Sequence, residues 1–409
     1  MTDERRTADE ATRLVLVSGL VIALCIVGDS YLYSILPLEA ANLGIALPLV
    51  GVLLSANRLV RLISNTGASG IFERWGPRWP FASATLLAFL TTMTYALGRG
   101  FAVFLLARLG WGIAWSALRQ GGYQAVWAGG PARRGRLMGL LWGIIRLGSA
   151  ASVVVGGYLR DRFGYQTGVF AILMATALAL PLALALRWPP KARRAGTMTA
   201  VPVHWLTGLQ EMWHLRQGRR ILLAGFVYAV MEGVLISTAS LVLAGRLGAD
   251  GVRAAFGVGV GTVAGLVLAV RWTSDILFGP AIGALADRLG HVRVAVALAT
   301  VMLGGVVGVT QLAGAWLVLC LMLVFVSSAG LTVALAAIAS GVALAAGHPH
   351  HVVGAYTTAG DAGSALGPTL AYSAAALIGI AGLYVAAALA LLAATLWLAA
   401  DRRQMAPDG

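Results

Sequence analysis

The sequence predicts an all-α membrane protein of twelve transmembrane helices in two pseudo-symmetric six-helix bundles. Three observations predict it: the composition, the length of the apolar runs and a likeness between the two halves of the chain. Hydrophobic residues fill 59% of the 409 positions and charged residues only 11%, against roughly 45–50% and about 25% in soluble domains. Mean hydropathy is +0.83. A soluble chain has too little interior for that much apolar surface, whereas a bilayer accepts it as exterior.

The apolar runs lie at 14–38, 48–72, 80–98, 100–126, 136–158 and 166–187, then at 220–245, 254–284, 292–313, 315–345, 352–378 and 380–400. Each approaches the roughly 20 residues that cross a hydrocarbon core. They are continuously apolar rather than alternating, which selects helices over barrel strands. One polar stretch, 188–219, interrupts them near the middle. It runs from Pro189-Pro190 through Lys191, Arg193 and Arg194 to Arg216 and Arg219. It reads as a basic linker between bundles 1–187 and 220–409.

The net charge of +14 suggests nucleic acid in a soluble protein, but here its placement gives another reason. With the N-terminus inside, 19 of the 30 Lys/Arg fall in cytoplasmic segments, 5 outside and 6 within spans. That asymmetry orients an inner-membrane protein with both termini cytoplasmic and removes nucleic acid as a partner. The first 12 residues mix acids with arginines ahead of a span too long for a signal peptide, so no cleavage is expected. Cys25 and Cys320 both fall inside spans and read as small packing residues.

The halves match at two places. Ser69-Gly-Ile-Phe-Glu73-Arg74-Trp-Gly76 after the second span aligns with Gly283-Ala-Leu-Ala-Asp287-Arg288-Leu-Gly290 after the eighth, 214 residues on. Arg146-Leu-Gly148-Ser149 in the fifth aligns with Asp361-Ala-Gly363-Ser364 in the eleventh, 215 residues on. One offset serving two matches points to an internal duplication.

The segment Gly283 to Gly290 resembles the cytoplasmic loop signature of the major facilitator superfamily, and the copy at 69–76 is a degenerate version with Ser69 and Glu73. Gly139 to Gly157 is similar to the glycine-rich fifth helix of proton-driven exporters. The Gly-Pro pair of that motif occurs instead as Gly367-Pro368. The resemblance implies the major facilitator fold, rocker-switch alternating access, a small-molecule substrate, protons as coupling ion and a monomer without cofactors. It also implies a gating role for Glu73, Arg74, Gly76, Gly283, Asp287, Arg288 and Gly290, with the acids bonded to a helix N-terminus or an Arg side chain.

Ionisable groups at membrane depth are costly and invite a functional reading. They are Asp29, Arg58, Arg61, Arg108, Arg119, Arg146, Glu232, Arg271, Asp275 and Asp361. In the superfamily, helix 2 meets helix 11 and helix 5 meets helix 8. The resemblance therefore pairs Arg61 with Asp361 and Arg146 with Asp275 as ties between bundles, made and broken during transport or standing as static tethers.

The resemblance also assigns helices 1, 4, 7 and 10 to the cavity. Arg108, Trp111, Trp115 and Arg119 share one helical face, either stacking on a flat or anionic solute or packing against helix 1 or lipid. Asp29 and Tyr33 on helix 1, and Tyr228 and Glu232 on helix 7, complete the candidate substrate-binding set. Glu232 is the first candidate for proton coupling and Asp29 the second, the alternative being a Glu232 fixed in a salt bridge with Arg108. With the two tie pairs set aside, Arg58, Arg108, Arg119 and Arg271 outnumber Asp29 and Glu232. That surplus favours an anionic or amphiphilic organic solute. A multidrug exporter, an importer of organic acids or metal chelates, and a non-transporting receptor or lipid scramblase are the alternatives. No phosphate-cradling loop or nucleophilic constellation points to an enzyme, and His348, His350 and His351 read as a solvated loop rather than a metal site.

Overall fold

A computed structural model describes residues 2–130, 133–189, 205–345 and 349–400. Among them every regular element is helical: α1 (Thr2–Glu39), α2 (Leu47–Trp75), α3 (Arg78–Leu97), α4 (Phe101–Trp127), α5 (Arg134–Ala177), α6 (Ala179–Ala185), α7 (Trp205–His214), α8 (Arg216–Phe256), α9 (Val260–Leu277), α10 (Gly279–Leu289), α11 (His291–Gln311), α12 (Gly314–Ala345) and α13 (Pro349–Ala399).

Ten stretches of the described residues are long and apolar enough to cross a membrane. One of them, Arg134–Ala185, has 52 residues. At 1.5 Å per residue that is about 78 Å, more than twice the hydrocarbon thickness. It breaks at Gly164 (φ 84°) and so crosses twice. The 51 residues of α13 break likewise at Gly379 (φ 72°), which brings the crossings to twelve. The linker region differs from a plain polar loop: α7 occupies Trp205–His214, while 190–204 lie outside the described residues.

The duplication is written into the backbone. Among glycines with positive φ, Gly44 and Gly257, Gly76 and Gly290, Gly100 and Gly314, and Gly164 and Gly379 stand 213 to 215 residues apart. Gly76 (φ 75°) ends α2 with its N–H on the Phe72 carbonyl. Gly290 (φ 92°) ends α10 with its N–H on Ala286. A left-handed C-cap of this kind needs a residue without a Cβ.

The chain divides into two compact units. Unit 1 comprises Met1–Ala195 with Val252–Ala269, and unit 2 comprises Gly196–Gly251 with Val270–Gly409. By packing, the first half of α9 thus belongs with the first six spans, although sequence order assigns it to the second bundle.

In unit 1, Phe81, Trp111, Trp115, Leu118 and Leu141 form the centre of the core. Here α5 lies against α1 through small residues. A Cβ at Gly148 would fall 2.8 Å from the Ala23 Cβ, and one at Gly156 would fall 2.4 Å from the Tyr31 ring. Ser152 Oγ donates to the Val27 carbonyl at 2.6 Å. In unit 2, α13 lies against α8 in the same manner. Cβ atoms at Gly363 and Gly367 would each fall 2.6 Å from a carbonyl, of Phe226 and Val230. Leu377, Ile63 and Leu106 turn outward, where lipid rather than water meets them.

Candidate functional site

Each unit buries a cluster of charge at membrane depth. In unit 1, Asp29 on α1 accepts from Arg108 Nη1 on α4 and from Asn57 Nδ2 on α2 at 3.2 Å. Arg108 is fully buried, and its Nε also donates to the Leu53 carbonyl at 3.0 Å. Tyr33, one turn beyond Asp29, lies under two guanidiniums: Arg58 is 5.4 Å and Arg108 5.6 Å from its ring centre. Arg58 Nε also donates to the Tyr33 hydroxyl at 3.2 Å. Such stacking on an aromatic face is favourable, more so where water is excluded. Arg108 Nη2 and Asn57 Oδ1 make no hydrogen bond among the described residues. The Asp29–Arg108 pair itself is one acid against one base.

The cluster in unit 2 is balanced differently. Arg271 on α9 is 3% exposed and faces two carboxylates. Its Nε and Nη2 reach Glu232 Oε1 on α8 at 2.6 and 2.5 Å, and its Nη1 reaches Asp275 Oδ1 at 2.6 Å. Three pairs at the i,i+4 spacing, Tyr228 with Glu232, Arg271 with Asp275 and Ser328 with Thr332, bring these groups together, because such pairs share a helical face. The Tyr228 hydroxyl bonds Thr332 Oγ1 at 2.6 Å and the Ser328 carbonyl at 2.8 Å, and lies 3.4 Å from Glu232 Oε1. Arg271 Nη2 also donates to Thr332 Oγ1 at 3.3 Å. Two carboxylates thus bear on one buried guanidinium.

The remaining candidates fall as follows. Trp111 and Trp115 lie in the core of unit 1, with ring centres 5.9 Å apart and Trp142 6.3 Å beyond Trp115. Arg119 is half-buried. Arg61 Nε donates to the Asn57 carbonyl of its own helix at 3.1 Å, and Arg146 stacks 5.7 Å from the Trp142 ring. Asp361 is half-buried. Within its unit the guanidinium that meets Glu232 is Arg271, whereas Arg108 holds Asp29. Two of the four arginines counted as surplus are therefore already engaged by carboxylates. In the loop signature, Glu73, Arg74 and Arg288 are exposed, and a Cβ at Gly283 would fall 3.7 Å from Val333 Cγ1. Asp287 meets the imidazole of His291, the first residue of α11, at 3.1 Å. Of the histidine loop, 347–348 lie outside the described residues.

Sequence spacing passed over a third charged group. Glu39, Arg160 and Asp161 join at one end of unit 1, with Arg160 Nε on Glu39 Oε1 at 2.7 Å and Nη1 on Asp161 Oδ1 at 3.0 Å. Sequence order places Arg160 outside the spans, where it counts only toward orientation.

Residues 19–368 match the family profile of the Major Facilitator Superfamily. The chromaffin granule amine transporter of Rattus norvegicus is 25% identical over 188 residues, 46% of this chain. The match spans 36% of that relative's length. The nucleoside transporter NupG superposes with a TM-score of 0.77 at 12% identity, over 98% of this chain and 100% of its own. A POT family transporter in complex with 5-aminolevulinic acid gives 0.75 at 12% identity, over 97% and 96%. Twelve apolar crossings, a doubled backbone pattern and a profile match over most of its length make one conclusion: the chain belongs to the major facilitator superfamily and is a multi-pass membrane transporter.

Proposed function

We propose that this transporter exchanges protons for a small amphiphilic organic amine, and that Glu232 and Asp275 on Arg271 form the exchange site. The observation that carries the reading is the meeting of two carboxylates, Glu232 and Asp275, on the one buried guanidinium of Arg271. A carboxylate at membrane depth is neutralised either by a proton or by an organic cation, and two such ligands competing for one group is the requirement for antiport. A carboxylate whose proton affinity follows the wetness of its surroundings loads and releases that proton as access alternates. The amine transporter named above supports the choice of solute, and the basic segments support an inner-membrane setting with cytoplasmic termini.

A second reading, an anionic solute, is favoured by Arg58 over Tyr33 and by the spare donor of Arg108. Proteoliposomes with an imposed pH gradient separate the two. Uphill accumulation of a labelled lipophilic amine, lost in Glu232→Gln, is the expected result. Accumulation of a carboxylate instead selects the second reading, and uphill amine transport by Glu232→Gln removes the exchange site.

A further inference from the structure

We propose that Asp161 is a positioning residue for transport: from α5 it caps the first turn of α9, and this bond is made in one state of the cycle and released in the other. The reading rests on alternating access and not on which solute or ion is exchanged.

Helix α9 begins at Val260 without a cap of its own, because the preceding residue, Gly259, has no side chain. The first backbone N–H groups of a helix lack intrahelical partners, and a Ser, Asp or Asn just ahead of it usually accepts from them. Here the acceptor comes from another helix. Asp161 Oδ1 accepts from the Gly261 N–H at 3.2 Å. Its Oδ2 accepts from the Thr262 N–H and the Thr262 hydroxyl, each at 2.7 Å. A carboxylate at a helix N-terminus also gains from the helix dipole. The glycine makes this possible, since a Cβ at Gly259 would fall 2.4 Å from Asp161 Cγ.

The surfaces that meet are bare backbone. A Cβ at Gly157 would fall 2.3 Å from the Gly261 carbonyl oxygen, and one at Gly265 would fall 2.1 Å from that of Val153. No side chains interlock at these points, so the polar bonds carry much of the attachment. Asp161 is also ready for release. Arg160 donates to it at 3.0 Å and is itself held by Glu39, whose other oxygen accepts from Asn42 at 2.8 Å. Parted from α9, the carboxylate keeps this guanidinium. A cavity of about 630 Å³ beside it, edged by Tyr158, Arg162 and Arg253, gives water access to replace the lost donors. A buried charge stranded without partners would block such a motion, and here it is never stranded.

The same helix, α9, also carries two residues of the charge cluster of unit 2. Arg271 follows Thr262 by nine residues on the same helix, roughly 14 Å. Packing changes hands between Ala269 and Val270, so α9 begins in unit 1 and delivers Arg271 and Asp275 in unit 2.

Spin labels at Arg162→Cys and Arg253→Cys, with Cys25 and Cys320 replaced by Ala, read the separation of the two elements by pulsed dipolar spectroscopy on the full chain. Asp161→Asn is expected to raise the ratio of separated to close populations on the order of tenfold, and Thr262→Val by less. The pair Asp161→Ala with Gly259→Ser separates capping from anchoring, because the serine caps α9 locally while nothing ties it to α5. Its thermal stability is expected to return toward the parent while the population shift persists. An unchanged distance distribution in folded Asp161→Asn overturns the proposal. So does a parent-like distribution in the double variant, which would leave Asp161 a plain helix cap. Neither solute nor pH gradient enters the readout, so failure of the proton–amine exchange leaves this test standing.

Discussion

Arg271 and Asp275 stand one helical turn apart on α9 with Nη1 donating to Oδ1 at 2.6 Å, and the same guanidinium grips Glu232 from the other side. Arg160 also faces two carboxylates, but there the second, Asp161, is answered by the amides of α9. In unit 2 both carboxylates bear on the one guanidinium from side chains alone. Glu232→Gln, which replaces an acid by a neutral isostere and so removes the charge that proton and amine share, is expected to abolish both pH-gradient-driven accumulation and downhill amine exchange. Counterflow and gradient-driven uptake in the same vesicles check this.

Arg108 has the opposite role. Its removal strands Asp29, whose side chain is 13% exposed. Leaving one partner of a buried pair alone costs about 3–5 kcal/mol, so Arg108→Ala should lower the unfolding temperature sharply in detergent. Asp29→Asn combined with Arg108→Gln should cost less than the sum of the single changes, because the two residues share one interaction. Thermal unfolding of the four proteins supplies the cycle.

The glycines of α5 divide by what surrounds them. Cβ atoms at Gly139 and Gly143 would meet nothing within 4 Å, whereas those at Gly148 and Gly156 would meet α1. Gly139→Ala and Gly143→Ala should be neutral or stabilise by about 0.5–1 kcal/mol through helix propensity. Gly148→Ala and Gly156→Ala should destabilise by about 1–3 kcal/mol through overpacking. Melting curves in one detergent distinguish the sets.

Gly290 ends α10 at φ 92°, where a side chain crowds its own carbonyl. Gly290→Ala should cost about 1–2 kcal/mol. Gly304→Ala, in open space within α11, is the matching control. A larger loss for the control than for Gly290→Ala would contradict the assignment.

The crossings are legible from sequence because lipid permits unbroken apolar runs that water forbids. The breaks at Gly164 and Gly379 fall between adjoining apolar runs, the first just after Arg160-Asp161-Arg162 and the second among apolar neighbours. The charge clusters are only half legible. Asp29, Arg108, Glu232 and Arg271 stand out as ions at membrane depth. What spacing did not mark is that Arg271 meets Asp275 one turn away on its own helix and Glu232 on another. Trp111 and Trp115 were legible as a shared face, but in a membrane bundle the core and a cavity wall have the same apolar chemistry. Asp161 was hidden for another reason: its partners are backbone amides 100 residues away, and no residue pattern marks those.

The breaks at Gly164 and Gly379 have a mechanical meaning. A single residue joins the helix before each break to the helix after it, and near the first break the Tyr165 hydroxyl is fastened to the Tyr95 carbonyl at 2.7 Å. A link that short has no slack to absorb sliding. Whatever displaces the fifth crossing must drag the sixth with it, and the eleventh must drag the twelfth. Each of these pairs is therefore a stiff couple, and any change in spacing between crossings is left to the longer connections of the chain.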